Sequence, residues 1–461
     1  EDGIRDSVAS RGLGDVYKRQ SMRLTILAIA ALQAHGLVAP KSSLRAPRKP
    51  ATVVAARGGV AVAVRPERAL KPLSFMFVLS VAVVALAPAP ALIDALGSER
   101  ATALLGVVGS ASAGCEILLA PVVGALADSQ GRKPVLLGVL LAVLGANGLA
   151  CAFPSVPALL VTKFVGSLVV GLYFLASGAM LGDAYKADPG QLAATSGLIF
   201  ALVNVGFACG IKLGSLLPGQ TLRSLYGAAA AASAAAVAFA YANVEETLDD
   251  RRPFELGAFN PLSCYRLFSD GREMRLLALL LAITLQPIFM GDVLQIFAID
   301  EWRLGPSAVA TFFTAIPLLG AVGNVVGGRL AKRVGLQAFT AVATLSNLGF
   351  WVGCCVSHRA ALVAAAVGFL GPARTLGAST SLTALAGRKG VPQGRLSGDR
   401  ANLVAILKIL GPLVYGKLYV WGRRAARPAA PFHLNIALTA AALALAPVAL
   451  RAAAAEGKDA A

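Results

Sequence analysis

Six charged side chains stand inside otherwise apolar stretches of this 461-residue chain: Glu116, Lys163 and Lys212 in the first half, Asp292, Arg374 and Lys408 in the second. In a membrane-spanning segment one such charge costs about 2.5–3.5 kcal/mol on insertion scales, so it persists where it pairs or acts. A carboxylate shielded from water takes up and releases protons near neutral pH, which makes Glu116 and Asp292 the candidates for proton coupling. Four cations against two carboxylates also hint at an anionic solute. The structural alternative has Asp292 neutralising Arg374 or Lys408, and Glu116 neutralising Lys163 or Lys212. No nucleophile–base pair accompanies these residues, so enzymatic chemistry is not expected. Cys115, Cys151, Cys209, Cys264, Cys354 and Cys355 form no C-x-x-C pair, and His35, His358 and His433 fall outside the spanning cores. A disulfide framework, a zinc site and any other metal or cofactor are therefore not expected.

A second constellation, Gly124-Ala-Leu-Ala-Asp128-Ser-Gln-Gly131-Arg132-Lys133, is a polar hairpin between two apolar runs, each long enough to cross a bilayer. Such a hairpin lies at a membrane face, and its cations mark the inner side.

The elements that must position these groups are legible from composition. The chain is 57% hydrophobic and 14% charged, where a soluble domain carries about 25% charged residues. Apolar runs fall at about 73–93, 102–126, 134–153, 156–182, 191–217 and 222–242, then at 276–298, 307–330, 338–356, 360–385, 400–421 and 432–450. An all-α membrane protein of twelve transmembrane helices follows, built as a six-helix bundle over 72–243, a central inner-face loop over 244–275, a second bundle over 276–452 and a tail over 453–461. Loop cations such as Arg132, Lys133, Lys186, Arg251, Arg329, Arg333, Arg388 and Lys389 gather on one side, against Arg100, Arg223, Arg303 and Arg359 on the other. Arg423, Arg424 and Arg427 break that pattern. The formal net charge of +18 is spread through a presequence and such loops, with no basic stripe on a soluble domain, so nucleic-acid binding is not expected. Internal duplication supports two bundles: Gly328, Lys332 and Gly335 follow the eighth run as Gly124, Asp128 and Gly131 follow the second, and Gly210 and Gly411 share the 201-residue offset of Ser196 and Ser397.

The hairpin resembles the loop between the second and third helices of the major facilitator superfamily, G-x-x-x-D-x-x-G-R-K/R, with Ser129 where a basic residue is usual. Ala87-Pro-Ala-Pro90, Glu245-Glu-Thr-Leu248, Phe259-Asn-Pro-Leu262, Gly394-Arg-Leu-Ser-Gly398 and Gly411-Pro412 are similar to stretches of its tetracycline-efflux-like branch. The resemblance covers about 72–450 and implies alternating access between two bundles. It further implies that Asp128 caps a helix terminus of the opposite bundle and Arg132 ties neighbouring helices when the inner side is shut. Lys163, before Gly166, stands where relatives carry an Arg linked to proton coupling. Gly206, Gly210 and Gly214 leave one helix face without side chains, suited to close packing; Ile211 and Ser215 depart from the G-x-x-x-G-P-x-x-G-G pattern of drug antiporters.

The expected function is secondary active transport of a small organic solute, proton-coupled and drug-efflux-like, by a monomer in contact with membrane lipid. A sugar or organic-anion carrier is the alternative, and a receptor or scaffold that moves no solute is the rival from another class. Residues 1–21 contain no Met and read as upstream or artefactual sequence. Residues 22–71 read as a presequence, with Arg23 and Leu24–Leu32 signal-like and 41–64 free of acidic residues and transit-like. A plastid envelope is therefore one expected location, and the plasma or vacuolar membrane the other.

Overall fold

The computed structural model describes residues 66–455 except 186–188, 218–220, 249–250, 252, 255–259, 261 and 392. The segment 1–21 and most of the presequence lie outside the described residues, but Glu67–Lys71 forms the first turn of the first helix.

Among the described residues twelve spans can be traced, all helical. Ten are helices long and apolar enough to cross a membrane, and an eleventh is the pair His358–Val367 and Gly371–Arg388, bent by 64°. The remaining span is the first, α1 (Glu67–Ala82) followed by α2 (Pro88–Leu96). Spans two to six are α3 (Ser98–Gln130), α4 (Arg132–Ala152), α5 (Val156–Ala184), α6 (Pro189–Leu216) and α7 (Leu222–Asn243). After a short helix α8 (Arg266–Ser269), the seventh span is α9 (Arg272–Leu285) and α10 (Gly291–Asp300), joined by a 3-10 turn. Then come α11 (Pro306–Val334), α12 (Leu336–Val356), the bent pair α13 (His358–Val367) and α14 (Leu376–Arg388), α15 (Gln393–Arg424) and α16 (Ala430–Ala455).

The break in the first span has a chemical cause. Pro90 has no N–H to give the carbonyl four residues back, which is Leu86. Gln295 on α10 supplies the missing donor, its Nε2 lying 2.8 Å from the Leu86 oxygen. A proline thus opens one bundle's helix to a side chain of the other.

Two-fold repetition extends to contacts. Gly131 (φ +114°) and Gly335 (φ +85°) turn the chain between α3 and α4 and between α11 and α12, a backbone region in which a Cβ is strained. Asn147 on α4 bonds Ser233 on α7 at 3.1 Å, and Asn347 on α12 bonds Thr439 on α16 at 3.1 Å.

The cores show how the bundles meet. Toward the face that carries the Gly124–Lys133 loop (the motif face), each bundle has its own core: Leu70, Phe77, Leu140 and Tyr173 in the first, Leu277, Leu281, Leu382 and Leu403 in the second. Toward the far face one core is shared, with Leu92 and Leu105 packed among Met290, Phe297, Tyr415 and Tyr419. The bundles therefore join at the far face and part toward the motif face.

Candidate functional site

Where the bundles diverge they enclose a cavity of about 720 Å³, within the range of small-molecule sites. Of the six charges read from the sequence, Lys163, Asp292, Arg374 and Lys408 line it. They are paired across the bundles rather than within them. Lys163 on α5 donates to Asp292 on α10 at 2.7 Å, and Lys408 on α15 donates to Glu116 on α3. Neither pairing is the one expected from sequence. The partners stand 129 and 292 residues apart, and only the docking of one bundle on the other selects them. Each side chain in these pairs is between 20% and 29% exposed, so the bridges are shielded without being dry. The polarity is opposite in the two: the first bundle contributes a lysine to one and a carboxylate to the other.

Arg374 differs. It sits in the 3-10 turn Gly371–Thr375, where Pro372 interrupts the tenth span, and its side chain reaches backbone rather than a carboxylate. Nε donates to the Thr284 carbonyl at 2.8 Å and Nη1 to the Gly371 carbonyl at 3.2 Å. Lys212 is half-buried on α6, outside the cavity lining, and makes no ion pair among the described residues.

The hairpin of the motif face is tied within the first bundle. Arg132 bridges Asp128 at 2.6 Å and Asp183, at the end of α5, at 3.1 Å. Glu246, just past α7, accepts the backbone N–H groups of Arg132 and Lys133 at 2.9 and 3.1 Å, placing a carboxylate on the positive end of α4. Lys133 donates to the Tyr241 carbonyl at 2.9 Å. In this structure, with the bundles parted at the motif face, the Asp128 carboxylate rests on Arg132 and, among the described residues, meets no cation or donor of the opposite bundle. Gly124 and Gly328 meet nothing within 4 Å of where a Cβ would stand. The Lys332 side chain lies outside the described residues.

The glycine faces are contact surfaces. A Cβ at Gly210 would come within 2.6 Å of Ala82 and the Leu79 carbonyl, and one at Gly206 within 2.8 Å of the Phe75 carbonyl; Gly214 abuts the Val83 carbonyl. In the second bundle a Cβ at Gly411 would stand 2.5 Å from Phe289, while the neighbouring Pro412 carbonyl lies 3.0 Å from where a Cβ on Gly106 would project. So α6 lies against α1 as α15 lies against the seventh span.

At the far face the three unexplained arginines divide. Arg424 bridges Glu99 at 2.7 Å and so joins α15 to α3 across the bundles. Arg423 pairs with Asp300 and reaches Glu301 at 3.7 Å within the second bundle. Arg427 is exposed. The reading from sequence noted Arg424 without its partner Glu99, and missed Gln295 and the two asparagines. A signal existed for Asn147 and Asn347, which are amides in apolar runs at nearly the repeat offset.

Two helical bundles around a central, charge-bridged cavity define the architecture of a membrane carrier. The chain belongs to the Major Facilitator Superfamily, whose family model matches residues 72–412. It is 31% identical over 344 residues to the tetracycline resistance protein, class C, of Escherichia coli, a match covering 71% of this chain and 82% of that one. A shorter match, 33% over 113 residues, links it to the human major facilitator superfamily domain-containing protein 10, covering 24% of this chain and 23% of the relative. Among solved structures, the human organic anion transporter of that name superposes with a TM-score of 0.59 at 21% identity, over 83% of this chain and all of that one. The nucleoside transporter NupG gives 0.62 at 14% identity, over 84% and 99%. The protein is accordingly a multi-pass membrane transporter and not an enzyme.

Proposed function

We propose that the protein moves a small organic solute against or with a proton gradient, exchanging solute for protons as a monomer, and that Asp292 and Glu116 carry the coupling. The observation that supports this most directly is the pair of cross-bundle bridges, Lys163–Asp292 and Lys408–Glu116. Protonating either carboxylate removes its charge and releases one tie between the bundles. Proton occupancy and bundle docking are then two readings of one equilibrium, and a ligand shifts it by its differential affinity for the two states. The self-contained Arg132–Asp128 bridge fits the open side of that cycle. On closing the motif face, Asp128 is expected to transfer to a helix terminus of the second bundle, an interaction worth about 0.3–1 kcal/mol and so readily reversed. Flux through vesicles containing the purified protein tests the reading. Movement of a solute class that rises and falls with an imposed pH gradient supports it. Gradient-independent flux indicates a facilitator, and none across a broad panel a receptor.

The same reading places the transporter in a plastid envelope, delivered by residues 22–71, on the strength of the acid-free stretch 41–64. A fluorescent fusion of the full chain should mark plastids, and one that starts at Pro72 should not; a plasma or vacuolar signal for both would exclude plastid delivery.

A further inference from the structure

We propose that Arg374 anchors the carboxylate of a monoanionic, largely apolar solute, with the Trp351 indole N–H as a second donor. The proposal rests on the transport reading above and names the solute class.

Charge is the first ground. Of the charged side chains at the cavity, Lys163 and Lys408 are each matched by a carboxylate, which leaves Arg374 as the residual positive charge. Arg374 is 6% exposed, and its bonds go to two carbonyls. Its second terminal amino group, Nη2, has no hydrogen-bond partner among the described residues, although the side chain borders the cavity. A buried cation without a counter-charge is costly. A carboxylate in the cavity would supply both the charge and an acceptor, and guanidinium is the side chain that takes a carboxylate most readily.

Trp351 is an independent ground. It is 5% exposed, lines the same cavity, and its Nε1–H is buried without an acceptor. Indole can only donate, so the partner it lacks is again an acceptor. Trp351 lies one turn beyond Asn347 toward the far face and Arg374 lies past Gly371 toward the motif face, and the level between them is marked by the backbone of Asn347, 3.2 Å from where a Cβ on Gly371 would stand. The interruption at Pro372 adds to this, because α14 begins at Leu376, two residues after Arg374, and its positive end is near that depth. Phe350, Ile316, Pro317 and Ile288 give the cavity apolar wall, which sets the rest of the ligand: one carboxylate on an apolar or aromatic body.

The test is equilibrium binding to the purified full chain in detergent micelles, with 1-naphthoate, its neutral isostere 1-naphthamide and the cation 1-naphthylmethylammonium as probes. Naphthoate should bind at least about tenfold tighter than the amide, the order set by one buried charged hydrogen bond, and the cation weakest of all. Arg374→Gln should bring naphthoate to the level of the amide and leave the amide unchanged. Because Arg374 also holds two carbonyls, that variant can fail to fold. Trp351→Phe keeps the ring and removes only the N–H, and it should cut the naphthoate preference several-fold. Equal binding of naphthoate and naphthamide by the wild type, absent naphthoate binding, or a preference unchanged in either folded variant would overturn the proposal. A carboxylate preference without flux in vesicles would sink the transport reading and leave this site standing. Flux of neutral solutes with no such preference would do the reverse.

Discussion

Lys163 Nζ and Asp292 Oδ1 lie 2.7 Å apart, on α5 of one bundle and α10 of the other. A bridge so placed must break whenever the bundles separate at that level. Removing one partner of a shielded pair leaves the other charge uncompensated and costs about 3–5 kcal/mol. Lys163→Ala and Asp292→Ala should each lower the unfolding temperature in micelles, whereas the exchange Lys163→Asp with Asp292→Lys should recover much of the loss. Thermal unfolding of the four proteins checks this. An exchange no better than the worse single variant would mean that the two side chains are not coupled.

Glu246 should matter as a helix cap. Its carboxylate takes two backbone N–H groups at the start of α4, and loss of a capping acceptor typically costs about 0.5–2 kcal/mol. Glu246→Ala should destabilise by that order. Gly131→Ala should be worse, since its φ is +114° and a Cβ there would run into the Glu246 carboxylate. Denaturation midpoints in the same detergent give both numbers.

The glycines separate into two classes. Gly210→Ala and Gly411→Ala insert a methyl where Ala82 and Phe289 already stand, an overpacking worth about 1–3 kcal/mol each. Gly145→Ala, which meets nothing within 4 Å, should be neutral or mildly stabilising by helix propensity. Unfolding temperatures that fail to rank this way would contradict the contacts of α6 with α1 and of α15 with the 3-10 turn of the seventh span.

Cys264 lies in the 3-10 turn Ser263–Tyr265 between the bundles. Burial pushes its thiol above the ordinary cysteine value, and the Asp399 carboxylate raises it further. Only the thiolate reacts, so a raised value means less thiolate at any given pH. Maleimide labelling of a Cys264-only variant should therefore be slow at neutral pH, with its rate profile displaced to higher pH. Asp399→Asn should shift that profile back down.

The spans were legible because a bilayer demands about 20 apolar residues per crossing, and all twelve apolar runs stand out without tertiary information. The pairing of charges was not legible. Glu116 and Lys408 are conspicuous as charges, yet nothing local says that α3 and α15 touch. Arg424 looked like a breach of the charge rule for loops, and its reason, Glu99, is on the other bundle. The first-span break could be anticipated from Pro88 and Pro90, but not that Gln295 would satisfy the freed carbonyl. Repetition was legible at Gly210 and Gly411 because packing against a neighbouring helix constrains both copies alike. It was lost at Asp128 and Lys332, where the halves carry opposite charges.

The most direct test of the account is solute flux into vesicles containing wild type or Asp292→Asn, with and without an imposed pH gradient. Wild-type flux should follow the gradient, and the variant, which cannot exchange a proton at that position, should lose the dependence while still binding solute. Unchanged gradient dependence in Asp292→Asn, and likewise in Glu116→Gln, would contradict the assignment of coupling to the cross-bundle bridges.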